Sequence, residues 1–183
     1  MKHLWVVALL FASSFAAAQV PNSGNVYFGY TYYNTDLSLN RGSLNGWQGT
    51  LEGKVFPMLG IVADLTGHYG SLDYNILCPV GPGPCLPVSS NAHVYEAMFG
   101  PRVSFPVGRL RPFAEFEVGV AHATTGSDGF GTDTSFATAL GGGVDVRLFR
   151  PVAWRLEGDY VRTDLFHTTQ GNFRFSTGIV LRF

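Results

Sequence analysis

The stretch Phe173-Arg174-Phe175-Ser176-Thr177-Gly178-Ile179-Val180-Leu181-Arg182-Phe183 decides the fold. Its odd positions are apolar or threonine, and its even positions include Arg174, Ser176 and Arg182. A period of two is the signature of a strand with one apolar face and one polar face. The sequence then stops on an aromatic residue, with no polar tail. A soluble domain seldom ends in this way, so the expectation is a strand that faces lipid.

Working outward, the opposite end of the chain agrees. Lys2 and His3 precede an apolar run from Leu4 to Phe15, and Ala16-Ala17-Ala18 supplies small residues for a signal peptidase. This predicts a cleaved secretory signal over 1–18 and one domain over 19–183. The apolar run is shorter than the ~18 residues a spanning helix needs. Charge is nearly balanced, 12 Lys plus Arg against 13 Asp plus Glu, which leaves no electrostatic footprint for nucleic acid. The 23 glycines, 15 phenylalanines and eight tyrosines suit strands, turns and an aromatic interface. Cys78 and Cys85 share one Pro/Gly-rich segment. In an exported protein, two close cysteines predict a local disulfide. A metal site or a reactive thiol is the alternative, but no His or further Cys sits at ligand spacing.

Period-two alternation yields eight segments: 25–33, 47–55, 60–70, 93–105, 110–121, 134–148, 152–162 and 173–183. The gaps after the odd-numbered segments are long (34–46, 71–92, 122–133 and 163–172). Those after the even-numbered segments are short (56–59, 106–109 and 149–151). Each segment is long enough for the ~9–11 residues that a tilted membrane strand needs. Long and short connections in alternation predict an all-β, eight-stranded antiparallel up-and-down transmembrane β-barrel, with long loops outside and tight turns in the periplasm. Pro101, Pro112 and Gly141-Gly142-Gly143 interrupt this pattern. The prolines cannot donate ladder bonds, so a bulge or fray is expected near 106–109. The glycines are expected to let bulky neighbours approach from inside.

The two faces differ sharply. One holds Phe28, Tyr30, Leu51, Ile61, Leu65, Phe99, Phe116, Leu140 and Leu156, with no charge within the span. An Arg or Lys at the bilayer midplane would cost ~2–4 kcal/mol. Tyr32, Trp47, Tyr69, Tyr95, Phe136, Tyr160 and Phe173 fall beside the long loops, where a girdle of rings is expected; Phe28, Phe105, Trp154 and Phe183 mark the other rim. The opposite face holds eight acids, Glu52, Asp64, Glu96, Glu115, Glu117, Asp145, Glu157 and Asp159. It also holds seven bases, Lys54, Arg102, Arg111, Arg147, Arg155, Arg174 and Arg182. A soluble ligand-binding barrel would invert the two faces. The near balance of sign predicts a salt-bridged plug rather than an open pore, since buried charges persist only when paired.

Together, the leader, the eight strands, the segment Phe99-Gly100-Pro101-Arg102-Val103 and the ending Phe173–Phe183 resemble the outer-membrane β-barrel domain family. That family includes the OmpA-like transmembrane domain and opacity-type surface proteins. The resemblance spans the mature chain and implies the outer membrane of a Gram-negative-type bacterium, with the lipid bilayer as the surrounding partner. It implies that Phe173, Phe175, Ile179, Leu181 and Phe183 form an assembly signal read by the outer-membrane assembly machinery. It implies no cofactor, no resident metal and, without a peptidoglycan-binding domain after the barrel, no wall anchoring. The functional expectation is a structural or surface-interaction protein whose extracellular loops meet a ligand. A narrow passive channel is the alternative. A lipid A-modifying enzyme is a third reading, because some small barrels of this kind use a Ser/His pair with a supporting acid. The candidates are His68 with Ser71 or Asp64, and His93 with Ser89 or Ser90. On the non-enzymatic reading, His68 is a rim residue paired with an inner carboxylate, and His122 and His167 lie in loops.

Overall fold

The computed structural model describes residues 23–35, 42–77, 86–126 and 131–183. They form a closed barrel of eight strands in sequence order. These are β1 (Gly24–Thr35), β2 (Gly42–Lys54), β3 (Leu59–Leu77), β4 (Leu86–Ser104), β5 (Leu110–Thr125), β6 (Thr132–Phe149), β7 (Val152–Thr163) and β8 (Gln170–Arg182). Every neighbouring pair is antiparallel. The stretch 173–183 is therefore the closing strand. β8 pairs with β1 from Asn25↔Arg182 to Asn34↔Phe173. Beyond the ladder, Phe183 N donates to Gly24 O at 3.1 Å and Gly24 N donates to Phe183 O at 3.0 Å. Closure leaves no sheet edge, which lipid could not hydrogen-bond.

The strands outrun the sequence-based bounds at the long-loop end. β3 and β4 continue pairing to Tyr74↔Val88 and, after an irregularity, Leu77↔Leu86. The connections shrink to 36–41, 78–85, 126–131 and 164–169. The expected loop 71–92 is thus mostly a protruding hairpin. Outside the bilayer a strand has no lipid-facing side, so its sequence needs no apolar alternation to betray it. The signal segment 1–18 and both cysteines lie outside the described residues.

Two irregularities have local causes. The β4–β5 ladder skips Gly100 and Pro101, then resumes at Arg102↔Glu115 in the same register. The bulge or fray expected near 106–109 does not occur there, where Phe105 N donates to Pro112 O and Val107 and Leu110 exchange backbone bonds. The interruption is this two-residue gap, where Pro101 has no N–H to give and the flanking rungs hold the register. At Gly143 an added Cβ would lie 2.9 Å from Phe113 Cζ. The absent side chain lets the Phe113 ring lie inside the barrel, where it is buried.

The outside is an apolar belt. Phe28, Leu51, Ile61, Leu65, Phe99, Phe116, Leu140, Phe175, Ile179 and Leu181 are all exposed. Water-soluble monomers rarely expose contiguous apolar patches above a few hundred Å², so a belt around the whole circumference calls for lipid. The upper girdle is knit together. Trp47 Nε1 donates to Tyr69 OH at 3.4 Å, and Tyr69 meets Tyr95 edge-on at 5.8 Å. Tyr160 meets Phe173 edge-on at 5.3 Å. Trp47 lies over its cross-strand partner Gly67, where a Cβ would come within 2.8 Å of Nε1.

Candidate functional site

The inward face is the chemical centre of the molecule. Arg102 on β4, Arg155 on β7 and Arg174 on β8 are 1%, 0% and 2% exposed. Each organises carboxylates from several strands. Arg174 Nη1 lies 2.8 Å from Asp64 and 3.3 Å from Glu96, its Nε 2.9 Å from Asp159, and its Nη2 3.9 Å from Glu117. Arg102 Nη2 reaches Glu115 at 2.5 Å and Glu157 at 3.3 Å, and Nη1 reaches Glu52 at 3.4 Å. Arg155 binds Asp145 through Nε at 2.7 Å and Nη2 at 3.3 Å, and lies 3.4 Å from Glu157. Glu157 joins the arrays: it is bonded by Arg102, Arg155 and, at 2.7 Å, Gln48.

The remaining sequence-derived charges occupy the short-turn mouth. Lys54 pairs with Glu52 and donates to Ser104 Oγ at 2.8 Å. Arg111 is half-buried, and its Nε donates to Ser104 Oγ at 3.1 Å. Arg182 is 26% exposed and reaches Asp145 at 3.3 Å. Arg147 departs from the sequence reading. It is exposed, and its Nη2 donates to Gly108 O at 3.0 Å. Arg147 keeps the register of Asp145↔Arg155, pairing with the inward Ala153, but it is the last residue of β6 before the irregularity at Phe149, so its side chain extends from the mouth into the open.

Aromatic rings inside the barrel escaped the sequence reading. Phe113 is stacked under Arg102 at 4.4 Å and Arg155 at 4.6 Å, and Tyr27 lies 4.9 Å from Arg155. Their signal was parity: Phe113 shares its face with Glu115 and Glu117, and Tyr27 and Tyr33 share theirs with Asn25 and Thr31. Cation–π contact adds attraction in the desolvated interior. Above the charges sits an apolar cluster that includes Tyr33, Leu44, Val94, Met98, Val161 and Leu165. Leu165 belongs to a 3-10 turn, Leu165–His167, in the β7–β8 connection. This connection dips into the barrel mouth rather than standing wholly outside. Asp133 anchors it by accepting from Phe166 N at 2.5 Å.

The histidines do not form a Ser/His pair among the described side chains. His68 is buried inside, not at the rim, with Nε2 3.4 Å from Thr31 Oγ1 and its ring 4.4 Å from that of Tyr33. Ser71 is exposed, three residues along the same strand and so on the other face. Asp64 shares the inner face with His68 but lies four residues away, roughly 13 Å along a strand. His93 faces outward against Tyr69 at 5.4 Å. His122 lies on β5, bonded to Thr134 at 2.7 Å, rather than in a loop. Glu115, Glu157 and Asp159 bring one oxygen each within 4.8 Å of one another, a spacing that suits a cation. Guanidinium groups already engage all three. Phe173, Phe175, Ile179, Leu181 and Phe183, the residues expected to form an assembly signal, are all exposed.

A closed antiparallel barrel with an apolar exterior and a charged, filled interior defines an outer-membrane β-barrel protein. The chain belongs to the outer membrane protein beta-barrel domain family, whose model matches residues 4–183. Its location is the outer membrane. Among solved structures, Neisserial surface protein A superposes with a TM-score of 0.68 at 14% identity, over 88% of this chain and 99% of that one. OprG of Pseudomonas aeruginosa gives 0.61 at 10% identity, over 89% and 96%. Ail, the attachment invasion locus protein of Yersinia pestis, gives 0.56 at 12% identity, over 88% and 100%, in a structure with the heparin analogue sucrose octasulfate. No curated protein matches the chain in sequence.

Proposed function

We propose that this protein is a closed, non-conducting barrel that acts as a surface-interaction scaffold through its extracellular hairpins. The supporting observation is the filled lumen. Eight strands enclose a space just wide enough for side chains, and here Arg102, Arg155, Arg174 and their carboxylates occupy it below an apolar cluster. A water file would have to break these ion pairs. Purified monomer in planar bilayers is expected to show no steady open state; a large, constant conductance would favour the channel reading. The buried His68 and the outward Ser71 speak against lipid A hydrolysis by that pair.

The hairpins are the part free to meet a ligand, with residues 1–18 read as the cleaved leader. The β3–β4 ladder reaches Leu77↔Leu86, the immediate neighbours of Cys78 and Cys85. A disulfide between those cysteines would staple the tip of the longest hairpin. The outer segments contain Asp36, Asp73, Asp128, Asp133 and Asp164 against Arg41 and Arg162. This acidic balance disfavours a sulfated polyanion like the one bound to Ail and fits a neutral or basic partner. Cells displaying the protein are expected to bind basic matrix or host proteins, and to lose that binding when 78–85 is replaced by a short turn. Reduction, or Cys78→Ser, should weaken it less. Unchanged binding after all four connections are trimmed would rule out the hairpins.

A further inference from the structure

We propose that the periplasmic rim at the β6–β7 turn and the chain end is a binding site for the phosphate of an anionic phospholipid in the inner leaflet. Arg147, Arg150, Arg182, Phe149 and Phe183 line a cavity of about 420 Å³ there. Three guanidiniums converge on it, and Arg109 stands exposed on the adjacent turn. No exposed Asp or Glu side chain offsets them at this end among the described residues, and the α-carboxylate of Phe183, one oxygen of which accepts from Gly24 N at 3.0 Å, sets one negative charge against three guanidiniums. Asp145, the acidic side chain that Arg182 reaches, is buried and is bonded to Arg155 as well.

Donors remain available for a ligand. Arg182 Nε is buried without a hydrogen-bond partner. Arg150 has no ion-pair partner among the described residues, and Arg147 commits only one nitrogen, to Gly108 O. Arginine forks match phosphate oxygens geometrically. The walls of the cavity are apolar: Phe149 and Phe183 are exposed, and Leu148, Trp154 and Leu181 continue the apolar surface up the outside of the barrel. A ligand that satisfies both halves has a phosphodiester at the cavity and acyl chains along the belt. A soluble phosphate would satisfy only the arginines and leave the phenylalanines wet.

The test uses the barrel in phosphatidylcholine nanodiscs, with phosphatidylglycerol added in steps, and follows the Arg182 Nε–Hε resonance by NMR. A saturable shift is expected. Its midpoint should move to about tenfold more phosphatidylglycerol, or further, in R147Q/R150Q, whose exposed side chains leave the barrel ion pairs intact. R162Q, on the extracellular side, should titrate like the parent. Heat-modifiable gel mobility checks that each variant is folded. No shift, or an unchanged midpoint in R147Q/R150Q, would overturn the proposal. So would an equal shift from inorganic phosphate in phosphatidylcholine alone, which would assign the arginines to a soluble anion.

Discussion

Replacing Arg174 with methionine is expected to cost about 3–5 kcal/mol of barrel stability. The substitution roughly conserves side-chain length but leaves Asp64, Glu96, Glu117 and Asp159 without the guanidinium that all four share. Removing one member of a buried ion cluster is far more damaging than never having built it, because the remaining charges stay desolvated and repel one another. Urea unfolding of R174M in detergent micelles should therefore show a clearly lowered midpoint. Adding Asp64→Asn and Asp159→Asn to R174M should recover part of the loss, since the surviving groups then carry less charge. Arg174→Lys should fall between, keeping the charge but losing the fork that contacts several strands at once. A midpoint for R174M equal to that of the parent would show that the cluster does not hold the barrel together.

Deleting Phe183 is expected to reduce assembled barrel in cells on the order of tenfold while barely altering refolding from urea into micelles. The two outcomes separate recognition from stability. In the finished barrel Phe183 contributes two backbone hydrogen bonds to Gly24 at the closing seam, each of modest net value, about 0.5–1.5 kcal/mol. Its ring points outward and is 59% exposed, so no packed core depends on it. A large loss confined to cells would assign the ring to the assembly machinery, and Phe183→Tyr should largely restore the yield. Normal assembly without Phe183, or an equal defect in micelles, would remove the case for a recognition role.

Much of this architecture was legible because a membrane barrel imposes one rule on every strand. Lipid outside demands an apolar residue at every second position, as in Phe173, Phe175, Ile179 and Leu181. The number of strands, their order and the alternation of connections followed from that rule. Departures occur where the rule lapses. Above the bilayer, residues 71–77 and 86–92 pair as strands without the pattern. At the periplasmic end, Arg147 keeps its inward register but lies at the mouth, where its side chain is exposed and reaches Gly108 O instead of an inner acid. His68 was placed on the correct face but not given its partners, since Thr31 and Tyr33 lie on β1, two strands away in the sheet.

By itself, the sequence determined which residues face lipid and which face inward, and that β8 closes the barrel. These are local consequences of a two-residue period acting along each strand. Only the tertiary structure decided who meets whom across the lumen. Arg174 draws acids from β3, β4, β5 and β7, of which only β7 is hydrogen-bonded to its own strand. Arg102 and Arg155 close on the Phe113 ring from two strands, and Leu165 folds down into the mouth. Such meetings depend on the radius, tilt and stagger of the closed sheet, which no single strand encodes.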